Sequence, residues 1–287
     1  MPIAAVFRSL VLPAVLAASL LPGAQAQQGV SLASGFTDFT SWTLLGSAQA
    51  QNDTPGNGFT YSNLILTTQG TEGQAGAGFA PTALTLDFNQ AFSFDFHFFI
   101  PVVQSLRGDG LTFTLTTSPA LGNGGSGLGY ENSAPNNQSV AFAIDTFHFG
   151  GEPVSPSLQI LQGGSVVPLA ATETGLGDAI RDPDLQWYAS VSYTPSGLDN
   201  SGVLTGTIAH PLGTFAVSAT VDFNALGLAG NPVFYGFSAA TGLATDGHVV
   251  TSAVPVPEPG SWAMVLAGLA LLAWRAAGGP AMRPTRH

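Results

Sequence analysis

The chain of 287 residues contains no cysteine and no lysine. Without thiols it can form neither a disulfide nor a thiolate metal centre. Its cations are six arginines, set against seventeen acids, and the formal net charge is −11. Only Arg107 and Arg181 fall between residues 27 and 254, where sixteen of the acids lie. A domain so poor in positive charge repels phosphate backbones, which excludes a nucleic-acid partner. No fixed-period repeat is present, which argues against propellers and β-helices. No Gly-x-Ser-x-Gly elbow, zinc motif or phosphate-cradling loop appears either.

The two ends differ from the middle. Residues 1–26 read as a secretory signal peptide. Arg8 precedes an apolar run from Leu10 to Leu21, Pro22-Gly23 ends it, and Ala24-Gln25-Ala26 supplies the small-x-small cleavage pattern. Ser261 to Trp274 carries no charge and is followed by Arg275, Arg283 and Arg286. A helix of that length spans about 21 Å at ~1.5 Å per residue. The hydrocarbon core is about 30 Å thick, so the expectation is a short, marginal transmembrane helix with its basic tail cytoplasmic. Segment 255–287 is thereby set apart from residues 27–254, which are long enough for one domain with its own core.

Within 27–254 the dominant period is two. Phe92, Phe94, Phe96 and Phe98 alternate with Ser93, Asp95 and His97. Leu111, Phe113 and Leu115 alternate with threonines, and Val140, Phe142 and Ile144 alternate with Ala141, Ala143 and Asp145. Short strands with one inward face, separated by Gly/Asn/Pro clusters, predict an all-β jelly-roll sandwich. Three loops stand out by composition: 104–110, 120–138 and 241–248. Their glycines either bring backbone N–H groups close to a ligand or simply make turns.

Five strings in order resemble the L-type (legume-type) lectins, sugar-binding sandwiches of the concanavalin A-like type. They are Gln74–Phe79, Gly108-Asp-Gly-Leu-Thr-Phe113, Gly127-Leu-Gly-Tyr130, Val140–Phe147 and Gly236-Phe-Ser-Ala-Ala-Thr-Gly242. The resemblance implies that Asp109 accepts hydrogen bonds from two sugar hydroxyls, a role suited to a carboxylate. It also implies a cis peptide before Asp109. Gly127, or alternatively Gly125, matches the glycine whose N–H donates to the sugar. Thr245, Asp246 and Gly247 fall in the loop that shapes specificity. Tyr130, Phe147 or Phe149 is the candidate stacking face for the sugar.

The family commonly holds Ca²⁺ and a transition metal beside the sugar, and here the pattern is broken. Asp145 keeps the shared aspartate. Ala143 stands where the resemblance calls for glutamate, and Phe149 stands where it calls for asparagine. Glu152 is at best a substitute for the second aspartate, Ser157 or a neighbour replaces the histidine, and His148 is out of register. Ca²⁺ takes six to eight oxygens, so a full two-metal site is not expected. Two readings remain: a weak single Ca²⁺ site on Asp145 and Glu152, or a metal-free strand. Either way Phe149 exchanges a hydrogen-bonding group for an apolar face.

The same sandwich also hosts glycoside hydrolases, so fold leaves catalysis open. Their chemistry needs two carboxylates on one face, and strand residues 143–145 offer one. The expectation is a non-enzymatic protein: a glycan-binding lectin, or a structural or adhesive surface protein with a lectin-like sandwich. Pro257-Glu258-Pro259 ahead of the apolar run and arginines resembles the PEP-CTERM sorting signal. That implies an exosortase in a Gram-negative bacterium, signal peptidase at the other end, only transient membrane anchoring, and an outer-surface or exopolysaccharide-matrix location.

Overall fold

A computed structural model describes residues 28–255, apart from 34, 56–58, 102–106, 134–137 and 182–185, together with 269 and 272. The expected signal peptide and Pro257-Glu258-Pro259 lie outside the described residues. So does the apolar run that follows, except Leu269 and Leu272, which are helical and exposed. Among the described residues no helix is long and apolar enough to cross a membrane.

The middle folds into two packed sheets. The front sheet has seven strands, in the order β10 (Ser165–Glu173), β9 (Ser157–Gln162), β8 (Ser139–Asp145), β7 (Gly110–Thr116), β14 (Phe234–Ala240), β5 (Ala75–Phe79) and β2 (Thr43–Gly46). The back sheet runs β13 (Gly213–Asp222), β12 (Ser201–His210), β11 (Trp187–Leu198), β6 (Phe92–Phe99), β15 (His248–Pro255), β4 (Phe59–Thr67) and β3 (Gln49–Asp53). An eighth strand, β1 (Gln28–Ser31), runs parallel beside the first half of β6, and among the described residues all other strand pairings are antiparallel.

The period of two sets which side chains meet between the sheets. Phe92, Phe94, Phe96 and Phe98 are fully buried, whereas Ser93, Asp95, His97 and Phe99 face outward and are only partly covered. Across the gap Phe94 lies 5.0 Å from Phe113, and Phe96 lies 4.8 Å edge-on to Phe237. Each such ring contributes roughly 1.5–3 kcal/mol by leaving water. In this disulfide-free domain that packing supplies the stability a staple would otherwise give.

Strands β7 and β8 depart from simple alternation, because every residue in them is buried. Their outer face is covered by the Gly-rich loop that follows β7. Leu128 and Tyr130 from that loop pack on Ala141, Ala143 and Leu161 in a second, smaller apolar cluster. Outward-facing hydroxyls hold the same loop: Ser238 Oγ donates to the Leu128 carbonyl at 2.9 Å and lies 2.8 Å from Thr112 Oγ1. The cover brings the Gly-rich loop to the end of the front sheet where Asp109 lies.

Candidate functional site

Asp109 immediately precedes β7, and the Gly108–Asp109 peptide is cis, as the resemblance implied. Both neighbours need to be glycine. A Cβ on Gly108 would come within 2.5 Å of Phe147 Cβ. Gly110 adopts φ +149°, and a Cβ there would collide with the Ile144 carbonyl oxygen. Three backbone hydrogen bonds fix the turn. Asp109 N–H donates to Ala240 O at 3.1 Å, Thr146 N–H donates to Asp109 O at 2.8 Å, and Asp246 N–H donates to Gly108 O at 2.8 Å. The chain is thus held where β7, β8 and the loop after β14 converge.

The Asp109 side chain forms part of a pocket of about 320 Å³ with Gly125, Ser126, Phe147, Phe149, Gly242, Leu243 and Ala244. The residue is only 4% exposed, and Oδ2 is buried without a hydrogen-bond partner among the described residues. Gly242 and Gly125 leave space beside that oxygen: Cβ atoms there would lie 3.3 and 3.9 Å from Oδ2. Burial pushes the Asp109 carboxyl up to about 6, opposed by the neighbouring Gly242 backbone and helped by the charges of Glu152 and Asp246. Opposite this polar point the walls are apolar. Phe149 is 65% exposed and Leu243 is 76% exposed at the rim.

Of the residues proposed from sequence, Asp109, Gly125 and Phe149 meet on this pocket; Gly127, Thr245, Asp246 and Gly247 do not. Gly127 is buried in a 3-10 turn and donates its N–H to Gly124 O at 3.2 Å. Gly125 N–H is directed at Thr241 O at 3.3 Å. Thr245 and Asp246 are buried behind the wall, and Gly247 donates to Pro101 O at 2.8 Å. Tyr130 is withdrawn as a stacking face. It is 2% exposed, its hydroxyl lies 2.9 Å from Ser139 Oγ, and that hydroxyl accepts from Gly164 N–H at 3.2 Å. Phe147 and Phe149 supply the aromatic surface. Ser126, Gly242, Leu243 and Ala244 were not singled out from sequence as site residues, although the last three lie in the 241–248 loop that was.

Sequence reasoning also missed Arg181. It ends a 3-10 turn, Gly177–Arg181, anchored by Ile180 in the core and by Trp187 Nε1, which donates to Ile180 O at 3.2 Å. Its guanidinium is 5% exposed. Nε donates to Asp246 Oδ2 at 2.8 Å, and an Nη donates to Thr146 O at 2.7 Å. Asp178 lies 3.5 Å from Arg181 and 2.9 Å from Arg107. The two cations between residues 27 and 254 therefore both stand at this corner. Behind them, His248 is fully buried, with Nδ1 2.7 Å from Thr67 Oγ1. Burial, then the charge of Arg181, pulls His248 down to about 3, so it is neutral.

The residues at the expected metal position do not fit a Ca²⁺ ion. Asp145 Oδ1 accepts from Phe147 N–H and Ser155 Oγ, each at 3.0 Å, and Oδ2 accepts from Gln159 Nε2 at 2.9 Å. Protein donors thus occupy the carboxylate on both sides. Gln159 stands directly across from Ala143 in the β8–β9 register, and Ala143 lies in the smaller apolar cluster. Glu152 Oε2 accepts from Phe149 N–H at 2.7 Å and so shapes the loop. Burial raises the Asp145 carboxyl to about 7. Among the described residues no group of three or more His, Cys, Asp or Glu could hold a metal.

Comparison with known proteins places these features in a family context. The family model for the legume lectin domain matches residues 35–253. The basic winged bean lectin with Tn-antigen is 24% identical at TM-score 0.58, covering 76% of this chain and 94% of that one. The lectin from Bauhinia forficata in complex with GalNAc is 22% identical at TM-score 0.58, covering 77% and 96%. Lectin I-B4 from Griffonia simplicifolia, in a metal-free form, is 23% identical at TM-score 0.57, covering 75% and 94%. At these identities the likeness is one of fold. Comparison with curated proteins gives no match.

Proposed function

Because the chain belongs to the legume lectin domain family, we propose that it is a lectin that binds glycans at the Asp109 pocket without turning them over. One observation carries the reading: a buried carboxylate oxygen without a partner, Asp109 Oδ2, beside a pocket rimmed by Phe149. A sugar offers matching chemistry, hydroxyl donors on one edge and apolar C–H faces on another. Among the described residues lining the pocket, Asp109 is the sole carboxylate. Glycoside hydrolysis uses two, so binding is favoured over cleavage.

The Bauhinia forficata lectin is in complex with GalNAc and lectin UEA-II is complexed with galactose, so glycans ending in GalNAc or galactose are the first to test. A glycan array probed with the full chain and with Asp109→Ala tests the reading. Binding that falls at least tenfold in the variant is expected, since hydrogen bonds to a charged group contribute about 1.5–3 kcal/mol. A blank array for the wild type would favour a structural or adhesive surface protein instead.

The setting we propose rests on the sequence of the two ends. Signal peptidase releases residues 1–26, an exosortase recognises Pro257-Glu258-Pro259 while the apolar run holds the chain transiently in the membrane, and the domain reaches the outer surface or an exopolysaccharide matrix. Glycans are within reach there. N-terminal sequencing of the mature protein is expected to begin at Gln27, and an intact Met1 would contradict export by this route.

A further inference from the structure

We propose that Arg181 is a positioning residue that anchors the sugar-binding loops and allows this lectin to work without a divalent cation. The inference rests on the Asp109 reading above and extends it to what holds that site in shape. Two segments support Asp109. Thr146, just past β8, donates its N–H to the Asp109 carbonyl, and Asp246, in the loop after β14, donates its N–H to the Gly108 carbonyl. Arg181 grips both segments on their other sides, through Thr146 O at 2.7 Å and Asp246 Oδ2 at 2.8 Å. Thr146 Oγ1 closes the ring with a 3.3 Å bond to Asp246 Oδ2. One buried guanidinium therefore ties together the two chain segments that clamp the peptide on either side of Asp109.

First, a planar guanidinium with several fixed donors can cross-link two acceptors from different segments, which the point charge of an ammonium does less well. Second, the turn carrying Arg181 is itself fixed, because Ile180 is in the core and Trp187 bonds its carbonyl. Third, the position where the family's metal is expected is occupied by other interactions: Gln159, Ser155 and the Phe147 N–H satisfy Asp145, and the Ala143 side chain supplies no oxygen. The loss of the ion and the placement of a buried cation at the same corner fit one account. Asp178 extends the cluster outward to Arg107, two residues before Asp109.

Removing Arg181 alone strands a buried Asp246 carboxylate and endangers the fold, so the test pairs Arg181→Met with the double variant Arg181→Met/Asp246→Asn. The double variant removes both charges and keeps the backbone bond from residue 246 to Gly108. Three readouts on the full chain are needed, each with and without chelator. They are the melting temperature, hydrogen exchange of segments 146–149 and 241–247, and binding to immobilised GalNAc- and galactose-terminated glycans. The double variant is expected to recover most of the melting temperature lost by Arg181→Met. Its loop exchange should be at least tenfold faster than wild type, and glycan binding at least tenfold weaker. The wild type should change less than twofold with chelator. Wild-type exchange or wild-type affinity in the double variant overturns the proposal, as does a chelator effect on wild-type loop exchange. If the wild type binds no glycan at all, the lectin reading fails separately, and the exchange measurements alone then decide whether Arg181 anchors the loops.

Discussion

Asp109 and Asp145 are buried carboxylates at the same end of the front sheet. Asp145 pairs in register with Gly110, the residue after Asp109. Burial raises both, to about 6 and about 7. Their oxygens nevertheless meet different surroundings. Asp145 accepts from a backbone N–H, a hydroxyl and an amide, all from the protein. Asp109 has an oxygen with no partner, next to two glycines on a pocket. A buried acceptor satisfied by the protein holds the fold together. A buried acceptor left open lowers stability until something else satisfies it. On the proposed reading Asp145 serves the structure and Asp109 the ligand, although the legume lectin resemblance ties both to sugar recognition, one through a metal.

The largest effect that would test this contrast lies next to both residues. Arg181→Met leaves Asp246 buried and unpaired, and should lower stability by about 3–5 kcal/mol in denaturant unfolding. Next, Asp145→Ala should cost about 1–3 kcal/mol, because Gln159 and Ser155 lose their acceptor. Asp109→Asn, by contrast, should leave the unfolding free energy equal or raised while weakening glycan binding. A destabilised Asp109→Asn would break the comparison.

The pH response sharpens it further. Both carboxyls titrate higher in the folded state than in the unfolded chain, where the ordinary value is 3.8. Between about pH 4 and 7 the folded protein therefore holds protons that the unfolded chain has released. Their contribution to stability is fully present below about pH 4 and is lost as pH rises through 6 and 7. Sugar binding by an ionised Asp109 runs the other way, increasing as pH rises through about 6. Melting temperature and glycan affinity measured from pH 4.5 to 8 should diverge, and parallel curves would remove Asp109 from the binding role. The smallest effect is expected at Phe149→Ala: little change in melting, since the ring is 65% exposed, and a loss of roughly 3- to 10-fold in glycan affinity.

Much of the fold was legible because the strands carry strict period-two patterns, as in Phe92 to Phe98. Asp109 was singled out through the resemblance that Gly108-Asp-Gly-Leu-Thr-Phe113 carries; by itself Gly-Asp-Gly reads as a turn, and only the structure shows what crowds a side chain at either glycine. The choice between Gly125 and Gly127 was not, because it depends on a 3-10 turn that buries Gly127 and leaves Gly125 on the pocket. Arg181 was illegible for a different reason. Its partners Thr146 and Asp246 lie 35 and 65 residues away, and no local spacing encodes such a contact. A compositional signal did exist: a domain with only two cations has both at one corner. The Gln159 amide that saturates Asp145 was equally hidden, since only the β8–β9 register places it opposite Ala143.

The most direct measurement is glycan binding by the full chain stripped of metal with EDTA, compared with the same protein resupplied with Ca²⁺. A site organised by Arg181 binds the same GalNAc- or galactose-terminated glycans with the same affinity in both conditions. Binding that appears only after Ca²⁺ is restored would contradict it.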